Sequence, residues 1–280
     1  MSTKKVWYVT GASKGLGLSL VRKLLHDGYR VAATSRYKNS LAEAIGSYDE
    51  KQFLPLEADL TNVASITQSI QQTQQFFGGL DVIVNNAGYG IGGAVEELNS
   101  TDIHKCFDVN VFATIHVMQA AMPYLRAQRS GHIINISSIG GFAGATGWGI
   151  YAATKYAVMG LTEVMAEDVK EFGIKVSAVA PGGFRTQFLS DESVVFADQK
   201  MDDYGAVRNS HARYAGMNGK QLGDPDKAAH ALITLAEDPS PPVRLFLGSD
   251  AYDRAKAKID LLTQELEQWK ELTFSTDFTG

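Results

Sequence analysis

A chain of 280 residues, 45% hydrophobic and 20% charged with 27 Gly and 7 Pro, can bury one sizeable core and has neither a disordered nor a fibrous composition. A formal net charge of −5 offers no basic excess for nucleic acid or an acidic membrane, so neither is expected as a partner. The single cysteine, Cys106, excludes an internal disulfide, and no apolar run reaches transmembrane length, so a soluble cytoplasmic protein is expected.

Met1-Ser2-Thr3-Lys4-Lys5 carries no secretory apolar core and leads directly into Val6-Trp7-Tyr8-Val9, which places the first strand at 6–10. A helix over 16–27 follows, then strands at 30–35 and 53–57. Thr61 and Asn62 are good N-cap residues and Gly78-Gly79 good stop signals, which bound a helix at 63–77. Strands at 82–85, 132–136, 175–180 and 243–247 then alternate with helices at 101–128, 150–172 and 226–237. Apolar strands alternating with helices predict a Rossmann-type α/β fold. Its doubly wound parallel sheet would have about seven strands and helices on both faces, in a single domain over 1–250.

Two stretches break the rhythm. Residues 187–223 set Phe188, Phe196, Tyr204 and Tyr214 among polar residues and are too long for an ordinary connection, which suggests a substrate loop or lid. A helical tail over 251–280 carries Ile259, Leu262, Leu266 and Trp269 at spacings of three and four, a stripe that must bury against the body or another subunit.

Gly11, Gly15 and Gly17 fall between the first strand and the first helix, where glycine lets backbone approach a pyrophosphate seated on the helix N-terminus. Ser13, Lys14 and Leu16 belong to the same turn. The literal G-x-G-x-x-G at Gly88, Gly90 and Gly93 comes well after the first strand–helix turn and lacks a tight helix start, so it is read as a decoy. Gly11-Ala12-Ser13-Lys14-Gly15 also fits the nucleophile elbow of a serine hydrolase, with His211 or His230 as the base. That elbow normally follows several strands, and here only one precedes it.

Tyr151 and Lys155 lie four apart on a helix and share a face. An ammonium beside a phenol favours phenolate and brings its proton exchange toward neutral pH. A second such pair, Tyr252 and Lys256, sits in the tail without a strand-end serine, and reads as an exposed helix pair. Tyr151 has Ser138 thirteen residues before it, just past a strand's carboxyl end, where open α/β sheets place their active residues.

With Thr10-Gly11-Ala12-Ser13-Lys14-Gly15-Leu16-Gly17, Asn85-Asn86-Ala87-Gly88, Asn110, Ser138, Tyr151 and Lys155 in this order, the chain resembles a short-chain dehydrogenase/reductase from Val6 to about Thr186. The resemblance implies that Tyr151 exchanges the proton, Lys155 lowers the phenol pKa and bonds the nicotinamide ribose, and Ser138 polarises the carbonyl. It implies that Asn110, inside the 101–128 helix, holds a proton-relay water. Asn86-Ala87-Gly88 would support the sheet centre and line the adenosine ribose, and Asp59-Leu60 would face the adenine. Pro181-Gly182 and Thr186 would grip the nicotinamide carboxamide. Oligomers are common in the family, so a homodimer or homotetramer is expected, although the tail departs from the family's usual shorter ending.

The second strand ends Ser35-Arg36 with no carboxylate, so the ribose 2′-hydroxyl lacks the acid that marks NAD; Arg36 and Lys14 suit a 2′-phosphate, and NADP(H) is expected. Tyr89, Phe142, Trp148, Phe184 and Phe188 are candidates for an apolar wall around a small apolar carbonyl or alcohol. The six His show no metal-site spacing, so no metal is expected, and Cys106 reads as a small buried hydrophobe. NADPH-dependent reduction of a ketone or aldehyde, or its reverse, leads. A non-catalytic dinucleotide sensor of the same fold and a hydrolase acting through Ser13 stand behind it.

Overall fold

The run Val6–Val9 is apolar at every position, and as strand β1 it is buried on both faces, Trp7 and Val9 toward one helical layer and Val6 and Tyr8 toward the other. The computed structural model describes residues 4–190 and 193–278, so Met1-Ser2-Thr3, two positions of the long insertion and the last two of the tail lie outside the described residues. After β1 come α1 (Gly15–His26), β2 (Arg30–Ser35), α2 (Lys38–Ile45), β3 (Phe53–Glu57), α3 (Val63–Phe77) and β4 (Val82–Asn85). The middle holds β5 (Gly90–Gly92), α4 (Ser100–Phe107), α5 (Ala113–Gln128), β6 (Gly131–Ile136), α6 (Gly149–Asp168) and β7 (Ile174–Pro181). The last part holds β8 (Val194–Phe196), α7 (Gly205–Gly216), α8 (Pro225–Glu237), β9 (Arg244–Leu247), α9 (Ser249–Gln268) and α10 (Lys270–Phe274).

Seven strands make one parallel sheet in the order β3-β2-β1-β4-β6-β7-β9. The connections reverse direction between β1 and β4, which opens a crevice at their carboxyl ends. Leu20, Leu24 and Leu232 of α1 and α8 cover one face, and Ile66, Ile70, Val117 and Leu125 of α3 and α5 cover the other. Asn62 caps α3 by accepting from the N–H groups of Ala64 and Ser65, at 2.9 and 3.2 Å, and Gly78 ends it in the left-handed region at φ 72°. All seven sheet strands stand where periodicity put them, within a residue or two at each end. No helix among the described residues is long and apolar enough to cross a membrane.

Local pattern misses three features. The helix expected at 101–128 is α4 and α5 joined by a π-helical turn, Asp108–Phe112, which carries Asn110. The insertion is not one open lid: β8 pairs in parallel with β5, with Gly90 opposite Val194 and Gly92 opposite Phe196. Strands of three residues leave no readable periodicity. Buried Glu97 anchors the insertion, accepting from the N–H groups of Ala94 and Met201 at 2.8 Å each and pairing with Arg208 of α7. Tyr204 adds a hydrogen bond to Glu96.

The third is the tail. In α9 only Ala251 and Ala255 are buried, whereas Ile259, Leu262, Leu266 and Trp269 are 47, 39, 71 and 57% exposed. The stripe expected to find a partner finds none on its own body.

Candidate active site

A cavity of about 1130 Å³ runs along the turns that follow β1, β4, β6 and β7. At its base, Gly11 has φ 64°, and a Cβ there would lie 2.7 Å from the Cα of Ala87, so both the backbone conformation and the close approach of two loops require glycine. The Asn86 side chain donates to the carbonyls of Thr10 and Gly11, both at 2.9 Å, and the Thr10 hydroxyl accepts from the N–H groups of Asn86 and Ala87. Ser13, Lys14, Gly15 and Leu16 line the cavity together with Asn86, Ala87 and Gly88. Gly17 does not: a Cβ there would lie 2.5 Å from Asn86 Nδ2 and 2.7 Å from the Gly11 carbonyl oxygen, so this glycine serves loop-to-helix packing rather than ligand contact. Lys14 precedes α1 in extended conformation without a side-chain cap, which leaves the first-turn N–H groups suited to an anion.

At the outer end Ser35, Arg36, Asp59 and Leu60 line the wall. Asp59 Oδ1 accepts from the hydroxyl and N–H of Thr61 at 2.7 and 2.9 Å, and these bonds hold its carboxyl below the usual carboxylate range. Turn chemistry thus engages one of its oxygens. The Thr34 hydroxyl, buried in the same wall, has no protein partner. A pinched glycine turn at a helix start, a basic outer end and an unpaired hydroxyl fit a phosphate-bearing dinucleotide.

The inner end is built on β6 and α6. Ser138 follows β6 and accepts the Gly140 N–H at 3.0 Å. Gly141 lets that loop touch α6, since a Cβ there would lie 2.6 Å from the backbone of Lys155. Ser137 donates to the Lys155 carbonyl at 2.9 Å, so it is structural, and Ser138 hydrogen-bonds the Tyr151 phenol. Lys155 Nζ donates to the Ile136 carbonyl at 3.0 Å and lies 6.0 Å from the centre of the Tyr151 ring. Burial pushes the Tyr151 phenol up to about 12, with the Ser138 bond opposing it, and burial pulls Lys155 down to about 8. The expectation that Lys155 acidifies the phenol is therefore corrected: among the protein's own groups, desolvation outweighs the ammonium.

Asn110 does not line the cavity. Its carboxamide clamps the backbone of Tyr89, accepting the N–H at 3.0 Å and donating to the carbonyl at 2.9 Å, and it also donates to Thr154 at 3.1 Å. With the side chain so occupied, any relay water would fall to its main-chain carbonyl. Cys106, fully buried one turn earlier, has its thiol pushed up to about 11 by burial.

Tyr89, Trp148, Phe184 and Phe188 line the cavity beyond Tyr151, with Trp148 edge-on to Tyr151 at 6.3 Å and to Tyr214 at 5.3 Å. Phe142 is a correction: it packs against Phe246 at 5.1 Å, beside Ala251 and Ala255, because the loop after Ser138 turns its ring toward β9 and α9. Pro181, Gly182 and Thr186 line the wall, and the Gly183 N–H donates to Asp250 at 2.7 Å. Tyr214, Gln221, Asp250 and Arg254 also line it and were not foreseen, because they come from the insertion and the tail, where no spacing marks them. Gly90 and Gly92 serve the β5–β8 pairing, in keeping with the reading of that glycine run as a decoy. Tyr252 is exposed and Lys256 pairs with Asp260 at 2.6 Å, an exposed helix pair as read. His211 donates to the Gly147 carbonyl at 3.0 Å, and His230 is exposed on α8. Among the described residues, no group of three His, Cys, Asp or Glu is placed to hold a metal.

The profile of the short chain dehydrogenase family matches residues 5–194. The chain is 32% identical over 274 residues to oxidoreductase BOA17 of Botryotinia fuckeliana, covering 97% of this chain and 99% of that protein. It is 34% identical over 240 residues to a 3-ketodihydrosphingosine reductase of Bacteroides thetaiotaomicron, covering 86% of each. Its fold is similar to a short-chain dehydrogenase from Streptomyces avermitilis, with a TM-score of 0.88, 33% identity and coverage of 98% of this chain and 100% of that one. It is also similar to ElxO with NADP bound, with a TM-score of 0.75, 30% identity and coverage of 90% and 100%. The chain belongs to the short-chain dehydrogenase family and is an oxidoreductase of that family.

Proposed function

We propose that the protein reduces a ketone or aldehyde to an alcohol with NADPH, or runs the reverse, with Tyr151 exchanging the proton. The observation that carries this is the Ser138–Tyr151 hydrogen bond, set in the wall of the cavity that also holds the glycine turn and Lys155. NADPH, when bound, supplies the hydride. Ser138 holds the substrate oxygen beside the phenol and steadies its developing charge. Tyr151, whose pKa stands near 12, remains protonated at neutral pH and is loaded as an acid, which favours reduction. Lys155, pinned on Ile136, presents a positive charge next to Gly88, where a Cβ would lie 3.2 Å from its Nζ. Asn110 sets the position of Tyr89, and so of the loop over the reacting centre. The reductase relative from Bacteroides thetaiotaomicron supports reduction of a ketone. The test is NADPH oxidation over a panel of ketones and aldehydes, with turnover expected for at least one; tight NADPH binding without turnover of any carbonyl refutes it.

NADP(H) rather than NAD(H) is supported by Arg36 and Lys14 in the wall, by the absence of a carboxylate at the end of β2, and by the NADP of ElxO. Arg36→Asp is expected to lower the NADPH/NADH ratio of kcat/KM by at least about tenfold, the worth of a charge-assisted hydrogen bond. An unchanged ratio removes Arg36 from cofactor choice.

For the tail, the reading is a homodimer. A stripe this apolar is rarely left open on a monomer. Ile259, Leu262, Leu266 and Trp269 repeat at heptad spacing, and an antiparallel second copy sets Lys258 opposite Glu265 at both ends of the seam. Light scattering on the full chain is expected to give a dimer, Lys258→Glu to weaken it, and Lys258→Glu with Glu265→Lys to restore it. A monomeric wild type at micromolar concentration overturns this.

A further inference from the structure

The cavity wall contains one side chain whose polarity the reaction does not use. Gln221 is 3% exposed, and neither its Oε1 nor its Nε2 has a protein partner. Its position is not loose. Its own carbonyl accepts from Arg185 at 3.1 Å, the Gly223 N–H donates to the Gly183 carbonyl at 2.9 Å, and the Arg185 N–H returns to the Gly223 carbonyl at 2.8 Å. This lacing presses the Gln221 stem against the segment after β7, where a Cβ on Gly183 would lie 3.6 Å from both Cβ and Cγ of Gln221. The carboxamide is thus held in the wall of the cavity that contains Tyr151 and Ser138.

A buried amide with no partner is a cost the fold bears at both its donor and its acceptor, and an apolar residue of similar size would avoid it. The wall holds a second such group: Trp148, also buried, has an indole N–H without a partner. An apolar substrate would leave both unpaired. A group that both donates and accepts would satisfy the carboxamide at its two ends. We propose that Gln221 determines specificity by taking a hydroxyl or amide group that the substrate carries in addition to its reacting carbonyl. The inference rests on the reduction proposed above and narrows its substrate class from apolar carbonyls to carbonyls with a second polar group. The cofactor's own carboxamide is the competing occupant. Gln221 lies outside the 5–194 region that the family profile matches, in the insertion, which favours the substrate.

The test compares benzylacetone with its α-, β- and γ-hydroxy derivatives, both as substrates and by calorimetric binding to the NADP-saturated full-length protein. Wild type is expected to favour at least one hydroxylated member by about tenfold. Gln221→Leu is expected to erase that preference while leaving benzylacetone binding, the NADPH Kd and the melting temperature unchanged or better. Gln221→Glu, which keeps the acceptor, is expected to retain part of it. No preference for any hydroxylated member in wild type overturns the inference, as does a preference that survives Gln221→Leu. A tenfold weaker NADPH Kd in Gln221→Leu overturns it by giving the side chain to the cofactor. Preferential binding without turnover refutes the reduction reading and leaves the subsite standing.

Discussion

Replacing Tyr151 by Phe is expected to lower the rate of carbonyl reduction by about a hundred- to ten-thousandfold, the usual worth of a positioned acid. The variant removes one oxygen atom. The ring remains in its apolar setting against Trp148 and Phe188, so NADPH affinity should hold and stability should not fall. The hydroxyl's bond to Ser138 is lost, but Ser138 keeps the Gly140 N–H. The same phenol sets a pH signature. Its pKa near 12 keeps the acid form through neutral pH, so reduction should be nearly flat from pH 6 to 9. Alcohol oxidation needs the phenolate and should climb with pH over that range, by up to about tenfold per unit where cofactor charge does not offset it. Stopped-flow rates in both directions check this. Full activity in Tyr151→Phe ends the assignment.

Lys155→Met is expected to abolish turnover and to stabilise the fold. The unfolded chain keeps the lysine proton up to about 10.5 and the folded chain only to about 8, because burial disfavours the ammonium. Between those values the unfolded state binds more protons, so stability rises with pH there; below about pH 8 the burial penalty is borne in full. The shift of roughly two and a half units corresponds to about 3 kcal/mol. The lost bond to the Ile136 carbonyl returns about 1 kcal/mol, leaving a net gain of about 2 kcal/mol at pH 7, or about 4–8 °C in Tm. Above pH 10.5 the advantage should vanish. Thermal melts of both proteins across pH, alongside NADPH oxidation rates, make the comparison. A variant that melts lower at pH 7 would show that Lys155 holds the fold together rather than burdening it for the sake of chemistry.

That Tyr151 and Ser138 meet was legible from a thirteen-residue offset, since a strand end and the first turn of the next helix must be neighbours in a parallel sheet. The glycine turn was legible for a similar local reason, because Gly11 needs its positive φ whatever surrounds it. Gly17 was assigned to the ligand in error, as only the folded chain shows Asn86 packed against it. Asn110 lies where a helix was expected, but its π-helical turn and its grip on Tyr89 arise from packing between distant segments. Phe142 illustrates the same limit: which way an aromatic ring turns at a loop is set by what packs beside it, here Phe246, more than a hundred residues away.

Sequence alone determined the strand and helix alternation, the glycine turn and the Ser–Tyr–Lys spacing, because each depends on periods and offsets within a few tens of residues. Tertiary structure decided the rest. It seated the insertion on β5 through Glu97, brought Gln221 and Asp250 to the wall, and set desolvation above the ammonium at Tyr151. It also left the tail stripe uncovered on a single chain. Burial and long-range contact belong to the folded ensemble of side chains, and no local pattern encodes them.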